Sequence, residues 1–147
     1  MEGDLIFTKM SCPSKDELIK KLFDRINDAG RLPPFPPSEI LNKIQIREEI
    51  GGTLLPSGLS VPHARLKEYE GFVLALGTPA ESVFHNGIQI RLVALMISNQ
   101  SGGVYYLPAL AALTKLSRDT EYFSRLGGAE TPAEFFNILK ERDTELI

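Results

Sequence analysis

Two apolar segments that flank an Asn-Gly pair constrain this fold more than any other part of the sequence. Residues 71–77 are almost continuously apolar, and so are residues 92–97 within a predicted strand at 88–98. Runs of this kind, bounded by turn residues, are typical of strands that are buried on both faces of a sheet. Asn86-Gly87 predicts a tight turn that leads into the second strand. Because both faces of such a sheet must be covered, the pattern predicts helices on both sides.

The first and the last predicted helices have clear start signals. Residues 15–29 carry apolar residues at helical spacing, with Ser14 as the predicted N-cap and Glu17 as its capping-box partner. Near the end of the chain, Thr131 is predicted to cap another helix that has Pro132 at its first position.

Two further helices are predicted between these. Ser38 is the predicted N-cap of the second helix, which carries Arg47 to its C-terminal end. Its predicted buried stripe consists of Ile40, Leu41 and Ile44. Residues 104–117 form the third helix, with Leu107 on its apolar face and Pro108 in its first turn, the part of a helix that tolerates proline.

Together these elements define the predicted architecture. Residues 4–10 are a short apolar stretch that we predict to be an edge strand. The fold class is α/β, with a mixed central sheet of about five strands flanked by helices on both faces. A chain of 147 residues can bury a substantial core as one unit, so we predict a single domain over residues 1–147.

Composition excludes several classes of function. The net charge is −3 and no block of lysine or arginine stands out, which argues against a nucleic-acid partner. No apolar run approaches the ~20 residues that span a bilayer, so we expect no direct membrane insertion. The single cysteine, Cys12, excludes an internal disulfide and a cysteine-clustered metal site and fits a reducing cytoplasm. We expect neither a metal nor a cofactor.

Residues 47–65 concentrate the special-purpose residues of the chain. Arg47 opens the segment and Arg65 closes it, and the backbone between them is interrupted repeatedly. The interruptions are Gly51, Gly52, Pro56 and Gly58. Pro62 pushes the residue before it towards extended geometry, so we predict that a strand ends at Val61. His63 would then lie on a rigid exit from a sheet edge.

The chemistry of His63 depends on the two arginines of the same segment. A neutral imidazole is a nucleophile, and nearby positive charge lowers the histidine pKa and keeps the ring neutral. Guanidinium groups also bind phosphate oxygens through paired hydrogen bonds. Arg47 and Arg65 therefore suit a histidine that accepts a phosphoryl group better than one that acts as a general base.

Other interpretations of His63 remain open at the level of residue types. A structural histidine at a strand end, hydrogen-bonded to the backbone beside two solvated arginines, is favoured when only residue types are considered. A hydrolase with His63 as base would need a serine or cysteine nucleophile in a recognisable elbow, which the sequence lacks. His85, the only other histidine, is predicted to be a surface loop residue without a catalytic role.

The same segment resembles a known family. Arg47-Glu48, Gly52-Thr53 and residues 58–65 (Gly-Leu-Ser-Val-Pro-His-Ala-Arg) are similar to the active-site segment of the fructose/mannitol-type enzyme IIA domains of the bacterial sugar phosphotransferase system and of their nitrogen-regulatory relatives. The likeness extends over residues 4–142, through a strand, a tight turn, another strand and two C-terminal helices.

The resemblance implies roles for the residues that match. In these families the histidine after the proline carries the phosphoryl group, which assigns that role to His63, and the upstream arginine, here Arg47, helps to hold it. Arg65 is a further candidate for charge stabilisation, although it could equally point outward to the carrier protein. The hydroxyls of Thr53 and Ser60 are candidate hydrogen-bond donors to the phosphate. The transfer needs positioning and charge stabilisation more than acid-base chemistry.

Tyr106 is the clearest departure from the family pattern. Many members carry a second histidine followed by leucine at the start of the helix after the last buried strand, and the matching pair here is Tyr106-Leu107. Tyrosine can donate a hydrogen bond to a phosphate or an imidazole, but its pKa of about 10 prevents proton shuttling near neutral pH. Alternatively, its ring only packs against the helix. The substitution favours a regulatory role over sugar transport.

These observations lead to two hypotheses of function. The first is a phosphocarrier that receives a phosphoryl group on His63 from the histidine phosphocarrier protein. Its onward partner would be a IIB domain or a regulated transporter or kinase. The second is a non-catalytic IIA-like module that binds and regulates a transporter, a kinase or a transcription factor.

Overall fold

The computed structural model describes residues 5–100 and 103–142. Helices and strands alternate in the first part of this chain, and helices alone follow the last strand. The helices are α1 (Lys15–Asp28), α2 (Pro37–Ile50), α3 (Gly103–Arg118), α4 (Thr120–Gly127) and α5 (Pro132–Lys140). The strands are β1 (Ile6–Met10), β2 (Leu59–Ser60), β3 (His63–Leu66), β4 (Val73–Pro79), β5 (Phe84–His85), β6 (Ile88–Gln89) and β7 (Leu92–Asn99).

The main sheet is mixed and five-stranded within the described residues. Its order is β1-β4-β7-β2, and β3 follows β2 along the same side of β7. β1 pairs with β4 in parallel, β4 pairs with β7 antiparallel, and both β2 and β3 run parallel to β7. The predicted α/β class, the mixed sheet and the edge position of β1 are confirmed. The segments predicted as buried strands, β4 and β7, are neighbours at the centre.

Alternation along β7 divides the core into two halves. One half contains Val93, Leu95 and Ile97, together with the buried residues of α1 and α2. The other half contains Leu92, Ala94 and Met96, together with the buried residues of α3, α4 and α5. Because successive side chains of a strand point to opposite faces, this one apolar run supplies both halves. The prediction of helices on both faces is confirmed.

α1 begins as predicted and α2 does not. The Ser14 hydroxyl accepts a hydrogen bond from the Glu17 backbone N–H at 3.2 Å, which confirms the cap. α2 begins at Pro37 without a side-chain cap, so the prediction that Ser38 is its N-cap is wrong. The fixed φ of Pro37 suits the first turn of a helix and starts it before Ser38. Ile40 and Ile44 are buried as predicted, whereas Leu41 is only partly buried.

Two predictions for α3 are wrong. Pro108 lies inside the helix instead of in its first turn, because the helix begins at Gly103. It therefore has no N–H to donate to the carbonyl one turn earlier. Leu107 is 66% exposed and does not belong to the buried face, which includes Leu113 and Leu116.

Between α3 and residue 142 the structure contains one helix more than predicted. α4 was not predicted, because it is only eight residues long, follows α3 after a single residue and includes Gly127. The Asp119 side chain caps it by accepting a hydrogen bond from the Tyr122 backbone N–H. α5 starts as predicted, since the Thr131 hydroxyl accepts from the Glu134 backbone N–H at 3.1 Å.

The strands around the two turns also differ from the sequence prediction. Val61-Pro62 does not end the strand region but separates β2 from β3, so His63 is the first residue of a strand instead of an exit from one. The predicted strand at 88–98 is divided into β6 and β7. β6 forms a two-stranded hairpin with β5, and the turn between them has left-handed backbone at Asn86 (φ 52°) and Gly87 (φ 80°).

No helix within residues 5–100 and 103–142 combines the length and the apolar character that crossing a membrane requires.

Candidate functional site

The site is built around His63, which lies on β3 next to the long central strand β7. Its side chain is 8% exposed and lies on the same face of the sheet as Met96, its register partner on β7. Ala64 and Leu66, the second and fourth residues of β3, belong to the core half that contains α1 and α2. Because side chains alternate along a strand, His63 points to the other face, towards α3. The histidine is thus fixed by the sheet and not by a flexible loop.

Ser98 orients the imidazole from the sheet side. Its Oγ lies 2.7 Å from His63 Nε2, and both groups are buried. The same hydroxyl lies 3.2 Å from the Asn99 carbonyl oxygen, to which it can donate. A serine that donates to this carbonyl accepts from Nε2–H and leaves the lone pair on Nδ1, because a neutral imidazole has one donor and one acceptor.

Ser98 was not predicted from the sequence to be part of the site. Its contact with His63 is formed between two strands whose register pairs Ser98 with Arg65, and no pattern within one segment reveals such a pairing. The available signal was weak: Ser98 is the polar residue that ends the apolar run of β7.

Tyr106, on α3, covers the side of the His63 ring that faces the helices. Its ring is stacked on the His63 ring with centroids 4.0 Å apart and an interplanar angle of 8°. The Arg65 guanidinium carbon lies 5.6 Å from the centroid of the Tyr106 ring, within the range of a cation–π contact. The predicted proximity of Tyr106 to His63 is therefore present, and the ring does more than pack against its own helix.

The electrostatic environment keeps His63 neutral. Burial, the largest cause, together with the positive charges of Arg65 and Arg47, lowers the pKa of His63 from 6.5 to about 4. Desolvation disfavours the charged imidazolium, and two nearby guanidinium groups disfavour it further. At neutral pH the ring therefore has an unprotonated nitrogen that is available as a nucleophile.

Arg47 reaches the site from the last turn of α2. Its Nη1 lies 3.5 Å from the carbonyl oxygen of Gly52, so the guanidinium contacts the turn that follows the helix. Gly52 has left-handed backbone (φ 65°), which glycine adopts without strain. In the same turn, the Thr53 hydroxyl donates to Glu48 Oε2 at 2.8 Å. The arginine remains exposed to solvent.

An open cavity of about 520 Å³ brings these side chains together. Its lining residues are Lys43, Ile46, Arg47, Ile50, Thr53, His63, Ala64, Arg65 and Tyr106. Five of the six predicted site residues thus line one space. Within the described residues no group of three or more His, Cys, Asp or Glu side chains is arranged to hold a metal ion.

Ser60 and His85 lie outside this cavity. Ser60 is fully buried in β2, and its Oγ has no hydrogen-bond partner. It does not line the space in front of His63, unlike the five other predicted residues. His85 is half-buried and lines a separate cavity between α1, α2 and the hairpin.

Comparison with known families identifies the chain. The family model described as "Phosphoenolpyruvate-dependent sugar phosphotransferase system, EIIA 2" matches residues 1–142. The chain belongs to this family. The membership predicted from the segment around His63 is therefore confirmed, and the EIIA 2 match covers every residue that lines the cavity.

Curated relatives of this EIIA 2 domain include a PTS system component and nitrogen regulatory proteins. The chain is 28% identical over 134 residues to the PTS system 2-O-alpha-mannosyl-D-glycerate-specific EIIABC component of Escherichia coli (strain K12), covering 88% of this chain. It spans only 20% of the length of that relative. It is 25% identical over 145 residues to the nitrogen regulatory protein of the same organism, covering 94% of this chain and 84% of that protein.

Solved structures share the fold of this EIIA 2 domain. The crystal structure of IIA mannitol from Escherichia coli matches with a TM-score of 0.73 at 20% identity, covering 95% of this chain and 98% of that one. The nitrogen regulatory protein IIA-Ntr from Neisseria meningitidis matches with a TM-score of 0.71 at 18% identity, covering 93% and 97%. At such low identity these similarities concern the fold alone.

Proposed function

We propose that this EIIA 2 domain is a phosphocarrier in which His63 accepts a phosphoryl group from the histidine phosphocarrier protein. The observation that carries the proposal is the environment of His63. The ring is neutral, with a pKa of about 4, is fixed by Ser98 and Tyr106, and opens into a cavity that contains two arginines.

The proposed step is a direct exchange between two imidazoles. The unprotonated nitrogen of His63 forms a bond to phosphorus while the N–P bond of the phosphorylated donor breaks. The electron pair of that bond returns to the donor imidazole, so no water and no oxidant take part. Such a transfer depends on alignment and on stabilisation of charge at the phosphoryl oxygens.

Arg47 and Arg65 are the proposed source of that charge stabilisation. Both line the cavity in front of His63 and both lower its pKa, so their charges act at the position where the phosphoryl group would be. The Tyr106 hydroxyl is a candidate hydrogen-bond donor at the same place. Thr53 has a less direct part in the proposal, since its hydroxyl already donates to Glu48.

The surroundings of the cavity support a protein as the phosphoryl donor. Ile46 and Ile50 line the cavity and are 46% and 76% exposed. Next to Tyr106 in sequence, Tyr105 and Leu107 are also exposed. Exposed apolar side chains beside cationic ones form a surface suited to a folded partner.

A IIB domain is the proposed onward acceptor. Two relatives support this: one solved structure with a TM-score of 0.72 is a complex of enzyme IIA mannitol and phosphorylated enzyme IIB mannitol, and the mannosyl-glycerate relative is an EIIABC component. The nitrogen regulatory relatives support regulation as the alternative use of the same phosphoryl group. Tyr106 in place of the second family histidine favours regulation.

Phosphorylation in a defined system tests the proposal. The protein is incubated with the general phosphotransferase enzymes, phosphoenolpyruvate and Mg²⁺, which the upstream enzyme requires. We expect an acid-labile, base-stable adduct one phosphate heavier by mass spectrometry. His63→Ala should abolish it, and His85→Ala, the matched control, should not. An unmodified wild-type protein under these conditions would favour the non-catalytic interaction module, and label on His85 would contradict the assignment of His63.

A further inference from the structure

A buried ion pair lies behind the site, outside the cavity in front of His63. Lys15 Nζ and Glu48 Oε1 are 3.0 Å apart, and the two side chains are only 3% and 6% exposed. Lys15 is the first residue of α1 and Glu48 lies in the last turn of α2. Removing both charges from water is costly, and an apolar pair of similar size is often at least as stable. The pair therefore calls for an explanation other than stability.

Both oxygens of the Glu48 carboxylate are engaged. Oε1 accepts from Lys15, and Oε2 accepts from the Thr53 hydroxyl at 2.8 Å. Lys15 Nζ also lies near the turn, 3.6 Å from the position that a Cβ on Gly52 would occupy. The ion pair is thus linked to the turn at residues 51–53 through the hydrogen bond from Thr53 to Glu48.

That turn connects directly to the site. The Gly52 carbonyl oxygen contacts Arg47 Nη1 at 3.5 Å, and the Thr53 carbonyl accepts from the Val61 N–H at 3.2 Å, two residues before His63. The side chain of Arg47 is exposed, and its hydrogen bond to the Gly52 carbonyl oxygen joins it to the turn.

We propose that Lys15 and Glu48 are positioning residues, which hold the turn at residues 51–53 through Thr53 and thereby keep the Arg47 guanidinium in front of His63. This inference rests on the proposed function, because the position of Arg47 matters only if His63 receives a phosphoryl group. Lys15 and Glu48 contact neither the phosphoryl group nor the donor, and they act only through the arginine.

Two variants separate this role from a contribution to folding. Thr53→Val removes the hydroxyl that links the pair to the turn and leaves the ion pair intact. Lys15→Met/Glu48→Leu removes the pair without leaving an unpaired buried charge. Each should reduce the rate of phosphoryl acceptance at least about fivefold, the equivalent of one ordinary hydrogen bond. Thr53→Ser, which retains the donor, should recover the rate lost in Thr53→Val.

The decisive measurement is a double-mutant cycle with Arg47→Ala. If the pair acts through Arg47, Thr53→Val should have no further effect on the rate once Arg47→Ala is present. Full additivity of the effects of Thr53→Val and Arg47→Ala would overturn the proposal. An unchanged rate in both Thr53→Val and Lys15→Met/Glu48→Leu would also overturn it. Lys20→Met is the control, since Lys20 lies on the same helix in an exposed ion pair with Asp24 at 3.2 Å.

A second readout does not depend on phosphorylation. The charge of Arg47 lowers the pKa of His63, so displacement of the guanidinium in Thr53→Val should raise the pKa of His63 measured by NMR titration. A wild-type protein that accepts no phosphoryl group would overturn the proposed function while this measurement still tests the positioning. An unchanged pKa of His63 in both Thr53→Val and Lys15→Met/Glu48→Leu would contradict the positioning role.

Discussion

At the scale of single residues, His63 combines burial with the proximity of positive charge. Each of these lowers the pKa of an imidazole, and a ring with a pKa of about 4 is neutral at any pH near neutrality. An exposed histidine would be partly protonated at slightly acidic pH and would lose its nucleophilic form. The imidazole of His63 thus stays in its nucleophilic form at neutral pH.

The lowered pKa of His63 predicts a pH-dependent contribution to stability. In the unfolded chain the ring is protonated below pH 6.5, whereas in the folded protein it stays neutral down to about pH 4. The unfolded state therefore binds more protons between these values, and stability falls as the pH is lowered through this window. Between about pH 7 and about pH 5 the loss should be about 2 kcal/mol.

Denaturant unfolding of the wild type and of His63→Gln at several pH values measures this contribution. The difference in unfolding free energy between the two proteins should shift against the wild type as the pH falls. A difference that does not change with pH would mean that the pKa of His63 is near its ordinary value.

Arg47 should matter for the rate of phosphoryl transfer and little for stability. A charge-assisted guanidinium contact contributes roughly 1.5–3 kcal/mol, so Arg47→Ala should slow phosphorylation of His63 at least about tenfold. The melting temperature should hardly change, because the side chain is exposed. Lys43→Ala, a cation in the lining of the same cavity, should slow the reaction much less. Loss of the fold in Arg47→Ala would instead assign the arginine a structural role.

The residues of the site were predictable to different degrees. One segment of the sequence contains His63, Arg47 and Arg65. Comparison with the family pattern also pointed to Tyr106, because it replaces the second family histidine. Ser98 and Lys15 were not predictable. Their contacts join segments far apart in the chain, and only the register of β3 on β7 and the packing of α1 against α2 create them.

At the scale of helices and strands, the cap residues distinguish α1 from α2. The Ser14 hydroxyl accepts from the Glu17 N–H, whereas Ser38 lies inside α2 and caps nothing. Ser14→Ala should therefore lower the unfolding free energy by about 1 kcal/mol. Ser38→Ala should have almost no effect or stabilise slightly, since alanine has the higher helix propensity. Equal losses in both variants, measured by urea unfolding, would contradict these assignments.

The elements that the sequence predicted well are those with a strong local pattern. β4, α1 and α5 have a continuous apolar run or a clear cap, and they occur where predicted. The apolar run at 92–97 also forms a strand, β7, although the predicted strand at 88–98 is divided into β6 and β7. α4 is short and follows α3 after a single residue, so no local pattern separated the two helices. The division of the strand around Val61-Pro62 depends on β7, which pairs with β2 and β3 in turn.

At the scale of the whole molecule, the site lies where the two halves of the core meet. Arg47 comes from α2, whose buried residues pack on one face of the sheet, whereas Tyr106 comes from α3 on the other face. His63 and Arg65 come from β3 between them. The complete site therefore exists only when both layers of helices are packed on the sheet.

Tyr106 links this arrangement to the use of the phosphoryl group. If the missing family histidine normally assists onward transfer, the wild type should accept phosphate on His63 and donate it slowly. Tyr106→His should then speed transfer to a IIB domain of the fructose or mannitol type, measured by loss of label from the phosphorylated protein. Tyr106→Phe retains the stacked ring and should change little if the hydroxyl has no part. Donation by the wild type as fast as acceptance would contradict the regulatory interpretation.

If His63 carries a phosphoryl group as we propose, the exposure of both arginines affects the energetics of that carrier. A buried guanidinium would lower the free energy of the phosphorylated histidine strongly, and transfer of the phosphoryl group to an acceptor would then be unfavourable. Arg47 and Arg65 face water, where charge–charge attraction is strongly screened. They can stabilise the charge during transfer while lowering the energy of the bound group only modestly. In the proposed function the N–P bond on His63 would then retain a high group-transfer potential, and transfer between donor, carrier and acceptor would be reversible.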